Sequence, residues 1–429
     1  MERIVVVGGG AGGLELATEL GKKLGKKKQA EIILIDRNST HVWKPLLHEV
    51  ASGALDSRLA ELDYRGQGAR AGFRFLVGTL TGIDRDNRQV QLAPIVDDGE
   101  EVLAERSIRY DRLILAVGSV TADFGVDGVK QHCYFLDSTQ QADNFHHELL
   151  NEFLRVNQAL EDGDEQTLDI AIVGGGATGV ELAAELVHSV SLLNIYGLTH
   201  LTRERLKVSL VEAGPRLLPA LPEGLAHRVK QKLESLGVNV ITGNPAVKAG
   251  SDGLTLKDDA HIDANLMVWA AGIRAPDFLA SLGLAHRKNN QLLVNDYLQS
   301  IDDPSVYALG DCAACAIDDD SFVPPRAQSA HQMAACLATN IQRELKGRAA
   351  KPFKYKDRGS LVSLSRFSAV GNLMQSKSLS MSIEGTLARY AYASLYRMHQ
   401  RALHGWWKML LIIIVDKLNH AVKPRLKLH

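Results

Sequence analysis

The sequence predicts an α/β protein with two parallel sheets, each flanked by helices. Two glycine-rich segments support this: residues 8–13 follow the apolar run 3–7, and residues 174–179 follow the apolar run 168–173. Each segment has the pattern G-x-G-x-x-G at the junction of a strand and a helix. Glycines there let the backbone approach a pyrophosphate, and the helix N-terminus offers unpaired N–H groups to it. One such pattern is a weak signal, whereas two predict that the chain binds two dinucleotides.

Each glycine segment needs a carboxylate that binds a ribose. Asp36 ends the first following apolar run at the expected spacing, and Glu212 ends the second. Glu212 lies further from its glycine segment than the usual ~20 residues. This predicts a longer helix or loop between the two, with an insertion within 189–205. Because a carboxylate repels a 2′-phosphate, Glu212 favours NAD over NADP. Arg216 is close enough in sequence to weaken that preference.

Composition agrees with a large enzyme of the cytosolic type. The 429 residues predict two or three domains, and 45% hydrophobic content is ample for buried cores. The net charge of −1 gives no indication of nucleic-acid binding. The first strand begins at Arg3, which leaves no room for a leader peptide and predicts catalysis in the cytoplasm. Four scattered cysteines do not suggest a disulfide framework.

Two later segments repeat the passage from a buried strand to a glycine, at residues 110–118 and 263–272. Residues 306–311 then form a short strand that ends in Gly-Asp, which predicts that the chain returns to the first nucleotide unit. The first domain is therefore expected to be discontinuous. The predicted boundaries are 1–115 with 273–335 for the first domain, 116–272 for the second with a linker near 155–167, and 336–429 for a C-terminal domain.

This order of motifs resembles the two-dinucleotide-binding flavoproteins, in which FAD takes the first site and NAD(P)H the second. The resemblance covers residues 1 to about 330. Within that superfamily, residues 41–50 and 326–332 are similar to the type II NADH dehydrogenases, the single-subunit NADH:quinone reductases. The A-Q-x-A-x-Q pattern that begins at Ala327 is the sharper signal. The ending at residues 396–429 extends the resemblance over the whole chain and is closest to the proteobacterial respiratory enzymes.

The resemblance and the two fingerprints together assign cofactor residues, with FAD in the first site and NADH as the substrate in the second. The residues assigned to FAD are Gly8, Gly10, Ala11, Gly12, Gly13, Asp36, Arg37, Lys44, Ala116, Gly118, Gly310, Asp311 and Ala327. The residues assigned to NADH are Gly174, Gly176, Ala177, Gly179, Glu181, Glu212, Ala271 and Gly272. For Lys44, a surface lysine on a loop is the alternative interpretation.

The cysteines argue against thiol chemistry at the flavin. Disulfide reductases and single-cysteine peroxidases of this superfamily carry a thiol shortly after the first ribose carboxylate, and residues 43–50 contain none. Cys312 and Cys315 match C-x-x-C, a motif that in other proteins carries out thiol exchange or provides two metal ligands. Because no second cysteine or histidine pair has metal-binding spacing, we interpret this motif as structural and predict no metal site.

A quinone acceptor fits the helix that follows the Gly-Asp strand. Gln328 and Gln332 are four residues apart and share one helical face, and amides can hydrogen-bond a quinone carbonyl without adding a charge. The same spacing suits an ordinary buried helix, and the family resemblance decides in favour of catalytic roles for both glutamines. His331, between them, is interpreted as a packing or surface residue.

Glu181 resembles the acidic residue that this family places where nicotinamide and quinone meet the flavin, and it is predicted to carry a proton for quinone reduction. Glu15 occupies the corresponding place after the first fingerprint, two residues beyond the last glycine. Position alone therefore does not separate catalysis from the electrostatics of a helix N-terminus.

The C-terminal residues suit a membrane contact, which an enzyme acting on a lipid-soluble quinone needs. The apolar run 409–415 would extend only about 10 Å as a helix, against a hydrocarbon core of about 30 Å, so it cannot span. Trp406 and Trp407 are placed like interfacial anchors. Basic side chains surround the run, opposed by Asp416: Arg397, Arg401, Lys408, Lys417, Lys423, Arg425 and Lys427. We predict amphipathic helices at about 386–429 that lie on an anionic bilayer. A dimer-forming or core helix is the alternative.

The sequence thus predicts a peripheral flavoenzyme on the cytoplasmic face of the inner membrane, which forms a homodimer. It would pass electrons from NADH through FAD to membrane quinone in the respiratory chain without pumping protons. One alternative is a sulfide:quinone oxidoreductase, which needs catalytic cysteines but no NADH site. Another is a flavin-bearing redox sensor that responds to NADH.

Overall fold

A computed structural model describes residues 1–319, 321–376, 379–422 and 426–427. The strands, in chain order, are β1 Glu2–Val7, β2 Ala30–Asp36, β3 Thr40–His41, β4 Leu62–Asp63, β5 Arg74–Val77, β6 Leu80–Asp84, β7 Gln89–Leu92, β8 Ile95–Asp97, β9 Glu100–Leu103, β10 Arg106–Arg109, β11 Arg112–Leu115, β12 Val120–Thr121, β13 Leu168–Val173, β14 Leu206–Glu212, β15 Val238–Thr242, β16 Ala246–Gly250, β17 Gly253–Leu256, β18 His261–Asp263, β19 Leu266–Trp269, β20 Ile273–Arg274, β21 Leu292–Val294, β22 Val306–Ala308, β23 Ala313–Cys315, β24 Ser360–Leu364, β25 Ser368–Ser376 and β26 Leu379–Glu384.

The helices of the described residues pack against these strands. In chain order they are α1 Ala11–Leu20, α2 Leu47–Ala51, α3 Ser57–Ala60, α4 Tyr64–Ala71, α5 Val129–His132, α6 Thr139–Glu161, α7 Ala177–Leu193, α8 Glu223–Ser235, α9 Ala327–Glu344, α10 Thr386–His404 and α11 Trp406–Val422.

The first parallel sheet has the strand order β22-β11-β1-β2-β5. In its register, Val5 of β1 lies between Ile33 of β2 and Leu113 of β11. These β-branched and leucine side chains are fully buried, as strands covered by helices on both faces require. The strand near residue 306 pairs in parallel with β11, so the chain does return to the first sheet after the second nucleotide unit.

A second parallel sheet has the order β15-β14-β13-β19. Ile172 of β13 pairs with Leu210 of β14 and with Val268 of β19, and all three side chains are buried. The chain passes between the two units along the short antiparallel pair of β12 and β20. Both sheets therefore place their glycine turns at the carboxyl ends of central strands, where doubly wound folds bind ligands.

Two of the predicted boundaries need correction. The linker expected near 155–167 is helical up to Glu161, because α6 buries an apolar face that includes Phe145, Leu149 and Phe153. The boundary expected between residues 335 and 336 cuts through α9. Residues Leu337 and Ile341 of that helix pack in the same core as β1, so this part of α9 belongs with the first sheet. The other domain boundaries stay predictions.

The C-terminal part contains an antiparallel sheet, β24-β25-β26, followed by α10 and α11. Within the described residues, no helix is both long enough and apolar enough to cross a membrane. Helix α11 ends at Val422, and residues 426–427 are not helical, so in the described part of the predicted region 386–429 the helices are Thr386–His404 and Trp406–Val422. The side chains of Lys417, Lys423 and Arg425 lie outside the described part.

Candidate functional site

The first glycine segment forms a cradle between β1 and α1. Gly8 has φ of +103°, and a Cβ added there would overlap the backbone of Ala116. One added to Gly13 would overlap the carbonyl of Gly8. Around Gly10, by contrast, a Cβ would meet no atom within 4 Å, and no side chain caps the start of α1. The free helix N–H groups therefore face open space, as pyrophosphate binding requires.

The second segment repeats this geometry between β13 and α7. Gly174 has φ of +117° and is pressed against the Ala270 backbone, and a Cβ on Gly179 would overlap the Gly174 carbonyl. Gly176, like Gly10, has no neighbouring atom within 4 Å, and no side chain caps α7. Both predicted dinucleotide cradles thus have the form that the residue pattern predicts.

The two ribose carboxylates hold their glycine loops in the same way. Asp36 Oδ2 accepts a hydrogen bond from the Gly9 amide, and Glu212 Oε2 accepts one from the Gly175 amide, each at 2.6 Å. Burial raises the pKa of Asp36, and hydrogen bonds from Asn38 and Gly9 oppose that rise. Arg37, assigned to FAD from the sequence, is exposed beside Asp36.

Arg216 does not approach Glu212 as its sequence position suggested. Its guanidinium donates hydrogen bonds to the carbonyl oxygens of Leu221 at 2.9 Å and Pro219 at 3.0 Å. These bonds hold the guanidinium in its own loop.

The crossover residues lie at the carboxyl ends of their strands. Ala116 and Gly118 follow β11, while Gly310 and Asp311 follow β22 in the same sheet. Ser119 Oγ donates to Asp311 Oδ2 at 2.7 Å, and burial raises the pKa of Asp311. In the second unit, the predicted residues Ala271 and Gly272 follow β19. Ala11 and Ala177 each begin the helix after a cradle, and Ala327 begins α9.

Lys44 links the two units. Its Nζ donates to the Ser119 carbonyl at 2.9 Å and to Asp137 Oδ1 at 3.1 Å. The ammonium group therefore lies beside the loop after β11, in which Ser119 bonds to Asp311 of the loop after β22. Its side chain is 44% exposed, so the pair with Asp137 is screened by solvent.

The two glutamines of α9 do share a face, and both amides are engaged with the segment 356–359. Gln328 donates to the Gly359 carbonyl at 2.9 Å and accepts from the Arg358 amide at 3.0 Å. Gln332 donates to the Lys356 carbonyl at 2.9 Å and accepts from the amide of the same residue at 3.0 Å. Both side chains therefore fasten this segment to α9, a role that spacing alone did not reveal.

Glu181 is buried near the start of α7 and accepts a hydrogen bond from the Ser363 amide at 3.0 Å. Burial raises its pKa to about 8, and the neighbouring carboxyl of Glu49 adds to the rise. Glu49 and Glu185 have pKa values raised by burial to about 8 and about 7. The raised pKa favours the protonated carboxyl of Glu181 near neutral pH, which is the state that the predicted proton carrier would need.

Glu15 has a different environment. Its carboxylate lies 2.5 Å from His331 Nδ1 and 2.7 Å from His399 Nδ1, and His399 Nε2 lies 3.1 Å from His41 Nε2. Burial raises the pKa of Glu15, but the two histidines together outweigh burial and lower it. The pKa of His331 is raised, chiefly by its bond to Glu15. His331, interpreted from the sequence as a packing or surface residue, is a partner of this buried carboxylate.

Sequence reasoning missed the side chains that surround these two glutamates. His48 and Glu49 lie within segment 41–50, which is similar to the family. Glu185 follows Glu181 at the i,i+4 spacing that places both on one helical face. That spacing was a usable signal. The sequence contained no such signal for His399, because its partner Glu15 is 384 residues away.

The cysteine pair is buried in the first unit. Burial raises the pKa values of Cys312 and Cys315 to about 11, so neither thiol ionises readily. Cys312 ends a short 3₁₀ turn and Cys315 ends the strand β23.

Comparisons with known proteins agree with this geometry. Residues 2–334 match the family described as pyridine nucleotide-disulphide oxidoreductase. A protein of Haemophilus influenzae, named type II NADH:quinone oxidoreductase, is 48% identical, and the match covers 100% of both chains.

Solved structures share the fold. NDH2 from Plasmodium falciparum in complex with NADH has a TM-score of 0.82 at 19% identity, covering 99% of this chain and 100% of that one. The sulfide:quinone oxidoreductase of Aquifex aeolicus has a TM-score of 0.73 at 18% identity, covering 94% and 92%. The family match and the full-length relative together show that this chain belongs to the type II NADH:quinone oxidoreductase family.

Proposed function

We infer that this protein oxidises NADH and reduces a quinone, with FAD as its resident cofactor. The observation that carries the inference is the pair of matched glycine cradles, each with its own ribose carboxylate, in a chain 48% identical over its full length to a type II NADH:quinone oxidoreductase. FAD, when bound, accepts a hydride and passes its two electrons to a second acceptor. The protein supplies positioning, charge and protons.

The first cradle suits FAD and the second suits NADH. Asp36 and Gly10 offer a ribose contact and a free helix N-terminus in the sheet that also carries Gly118, Asp311 and the start of α9. Glu212 and Gly176 offer the same contacts in the second sheet. We propose that the remaining assigned residues contribute to these two sites.

Quinone is proposed to approach the start of α9. Gln328 is partly exposed at the first turn of this helix, and its amide reaches the same segment as that of Gln332. A quinone carbonyl would have to share these amides with the 356–359 backbone. We therefore propose that the glutamines act on quinone partly by fixing that segment, in addition to any direct hydrogen bond.

Sulfide oxidation is the weaker alternative. It requires reactive thiols, whereas Cys312 and Cys315 are buried with raised pKa values. It also leaves the second cradle and Glu212 without a ligand. Substitution of all four cysteines is expected to leave NADH:quinone activity in place.

We further propose that α11 lies on the cytoplasmic surface of the inner membrane. Trp406, Trp407 and Leu411 are 58%, 82% and 62% exposed on this helix, and Arg401 stacks on the Trp406 ring at 4.6 Å. Exposed aromatic and apolar side chains beside basic groups match an interfacial helix on anionic lipid. The homodimer predicted from the sequence would use the same C-terminal part.

Vesicle flotation tests this placement. Replacing Trp407 and Leu411 by glutamate is expected to weaken binding to anionic vesicles by roughly tenfold or more, because both charges would enter the headgroup region. Leu154→Glu, at a side chain 58% exposed on α6, is the control. Unchanged vesicle binding together with a smaller species in analytical ultracentrifugation would assign this surface to a second copy of the chain.

The electron path is tested by anaerobic stopped-flow absorbance. NADH is expected to bleach the oxidised flavin band, and a short-chain quinone mixed in afterwards is expected to restore it. Bleaching without recovery would point to another acceptor or to a redox sensor. Absence of bleaching would contradict the NADH site.

A further inference from the structure

A buried group of ionisable side chains lies where α2 meets α7. His48 and Glu49 come from α2, and Glu181 and Glu185 come from α7. The His48 side chain is 2% exposed and that of Glu181 is 7% exposed, whereas 28% of the Glu49 side chain remains accessible. Glu49 is therefore the member of the group with the most solvent contact, whereas His48 and Glu181 are almost fully enclosed.

His48 lies between two of these carboxyl groups. Its Nδ1 is 3.5 Å from Glu181 Oε2, and its Nε2 is 3.9 Å from Glu49 Oε1. Among the described residues, Nε2 has no hydrogen-bond partner although it is fully buried. The ring also has a hydrogen bond with the Pro45 backbone. In the tautomer with the proton on Nδ1, the lone pair of the unpartnered Nε2 is free towards Glu49.

The surroundings of this group favour an uncharged His48 ring and a proton held on the carboxyl groups. Burial lowers the pKa of His48 to about 4, so the imidazole is uncharged at neutral pH. Three carboxyl groups this close cannot all ionise in a buried site. Burial and the charge of Glu185 raise the pKa of Glu49 to about 8.

Other elements that pack here bring few counter-charges. From α10, Tyr392 hydrogen-bonds Glu181, and Tyr396 lies near Glu49. From the turn after β24, Arg366 acts on Glu185, and Ser365 Oγ donates to Glu185 Oε2 at 2.9 Å. The arginine thus favours ionisation of Glu185, while Glu49 and Glu181 keep the proton.

The proposed reaction needs a proton from water in every turnover. NADH, a quinone and one proton give NAD⁺ and quinol, because the hydride carries two electrons and only one of the two quinol protons. Glu181 is the proton donor proposed above, and its side chain is nearly closed to solvent. It therefore needs a route by which it regains a proton.

We propose that Glu49 takes up this proton from solvent and that His48 relays it to Glu181, a role that rests on the proposed quinone reduction. The Glu49 carboxyl gives its proton to His48 Nε2, and the ring releases its Nδ1 proton to the Glu181 carboxylate. Loss of the Nε2 proton and protonation of Nδ1 then restore the starting tautomer before the next transfer. The contacts at 3.5 and 3.9 Å must close by about 0.5 to 1 Å for each transfer. His48 and Glu49 are relay residues that act through Glu181.

Two electron acceptors separate a relay from a merely structural role. The FAD-bound enzyme and its Glu49→Gln and His48→Gln variants would be assayed with a short-chain quinone, which takes up protons, and with ferricyanide, which takes up electrons alone. Quinone turnover is expected to fall by roughly tenfold or more in both variants, with a larger solvent isotope effect. Ferricyanide turnover is expected to stay within about twofold. Glu105→Gln, at an exposed side chain, is the matched control.

A second readout needs neither substrate. A carboxyl whose pKa is higher in the folded than in the unfolded protein stabilises the fold while protonated, and that contribution is lost as pH rises through the folded value. The thermal midpoint of the wild type is therefore expected to fall relative to Glu49→Gln as pH rises from the ordinary value of 4.5 to about 8, and to level off above that. His48→Asn replaces His48→Gln if the latter fails to fold.

The outcomes are distinct. Equal losses with both acceptors, or no loss with either, would overturn the relay. A wild type that reduces ferricyanide but not quinone would overturn the proposed function and the relay with it. An identical pH dependence of thermal stability in wild type and Glu49→Gln would remove Glu49 as the proton-bearing group.

Discussion

The two nucleotide units use the same local geometry and then differ at one position. In each, a carboxylate holds the second glycine amide at 2.6 Å and a later glycine is pressed against the first. Two residues after the last glycine, both units carry a buried glutamate. Glu15 is held by two histidines and its pKa is lowered, whereas Glu181 lies among carboxyl groups and its pKa is raised to about 8. The position in the motif therefore does not determine the charge.

The comparison teaches that partners from distant segments decide what each glutamate does. The histidines that meet Glu15 come from α9 and α10, so an ionised carboxylate fastens the C-terminal part to the first unit. Glu181 meets His48 and the Ser363 amide instead, and it keeps a proton. These contacts give Glu15 a structural role and support the role in quinone reduction that we propose for Glu181.

The largest expected effect is a loss of NADH binding that leaves FAD in place, which distinguishes the second cradle from the first. Gly174→Ala places a Cβ against the Ala270 backbone and is expected to weaken NADH binding by roughly 100-fold, about 2.7 kcal/mol, while FAD content is kept. Gly8→Ala is expected to remove FAD instead. Flavin absorbance and an NADH titration measure both. Gly163→Ala is the control, because its φ is also positive, at +95°, but its surroundings are open. NADH binding that survives Gly174→Ala would contradict the second cradle.

The next effect separates the two glutamates. Glu181→Gln is expected to lower quinone turnover by roughly 100-fold with little loss of stability, because the amide still accepts from Ser363. Glu15→Gln is expected to lower the free energy of unfolding by about 3 kcal/mol, because it removes the negative charge that accepts two hydrogen bonds from His331 and His399. Steady-state turnover and urea unfolding measure the two quantities. Similar losses in both assays for both variants would erase the distinction.

A smaller effect tests the ribose carboxylate of the second unit. Glu212→Ala is expected to reduce the preference for NADH over NADPH by about tenfold, since repulsion of the 2′-phosphate is lost. Arg216→Ala is expected to change that preference less than twofold, because its guanidinium is bonded to backbone carbonyls. The ratio of kcat/KM values for the two nucleotides measures the effect. A strong loss of NADPH use in Arg216→Ala would show that this arginine does reach the ribose.

The smallest expected effect is in the pH dependence of stability, where the two glutamates have opposite signs. The contribution of Glu15 is lost as pH falls below its ordinary value of 4.5, and that of His331 is lost as pH rises above 6.5. Glu15→Gln is therefore expected to be least stable relative to wild type between these values. Glu181→Gln is expected to exceed the wild type by roughly 3 °C at about pH 9, where wild-type Glu181 must lose its proton. Differential scanning calorimetry checks both curves.

Local patterns made the two cradles predictable. A buried strand, a glycine turn and a helix follow each other within a few residues, so the pattern places Gly8, Asp36 and Gly174. Glu212 is identified by its position at the end of the next apolar strand, although it comes later than the usual spacing. The return of residues 306–308 to the first sheet was also predictable, because a strand ending in Gly-Asp needs a partner. The ends of α6 and α9 could not be predicted in this way, because the extent of each apolar face is apparent only from the residues that it packs against.

The environment of each glutamate could not be read from the sequence for the same reason. His331 is 316 residues from Glu15, and Ser363 is 182 residues from Glu181. A pKa depends on such long-range neighbours and on burial, and neither is encoded in the spacing of the motif. The glutamine amides illustrate the same limit, because their partners lie on a segment with no pattern of its own.

Infrared spectroscopy of the oxidised enzyme at neutral pH tests the contrast between the two glutamates most directly. The carbonyl stretch of a protonated carboxyl group is separate from the stretches of an ionised carboxylate. Glu181→Gln is expected to remove intensity from the protonated band, and Glu15→Gln is expected to leave that band unchanged while it removes carboxylate intensity. Loss of the protonated band in Glu15→Gln, or its full retention in Glu181→Gln, would contradict the assignment of the proton to the second unit.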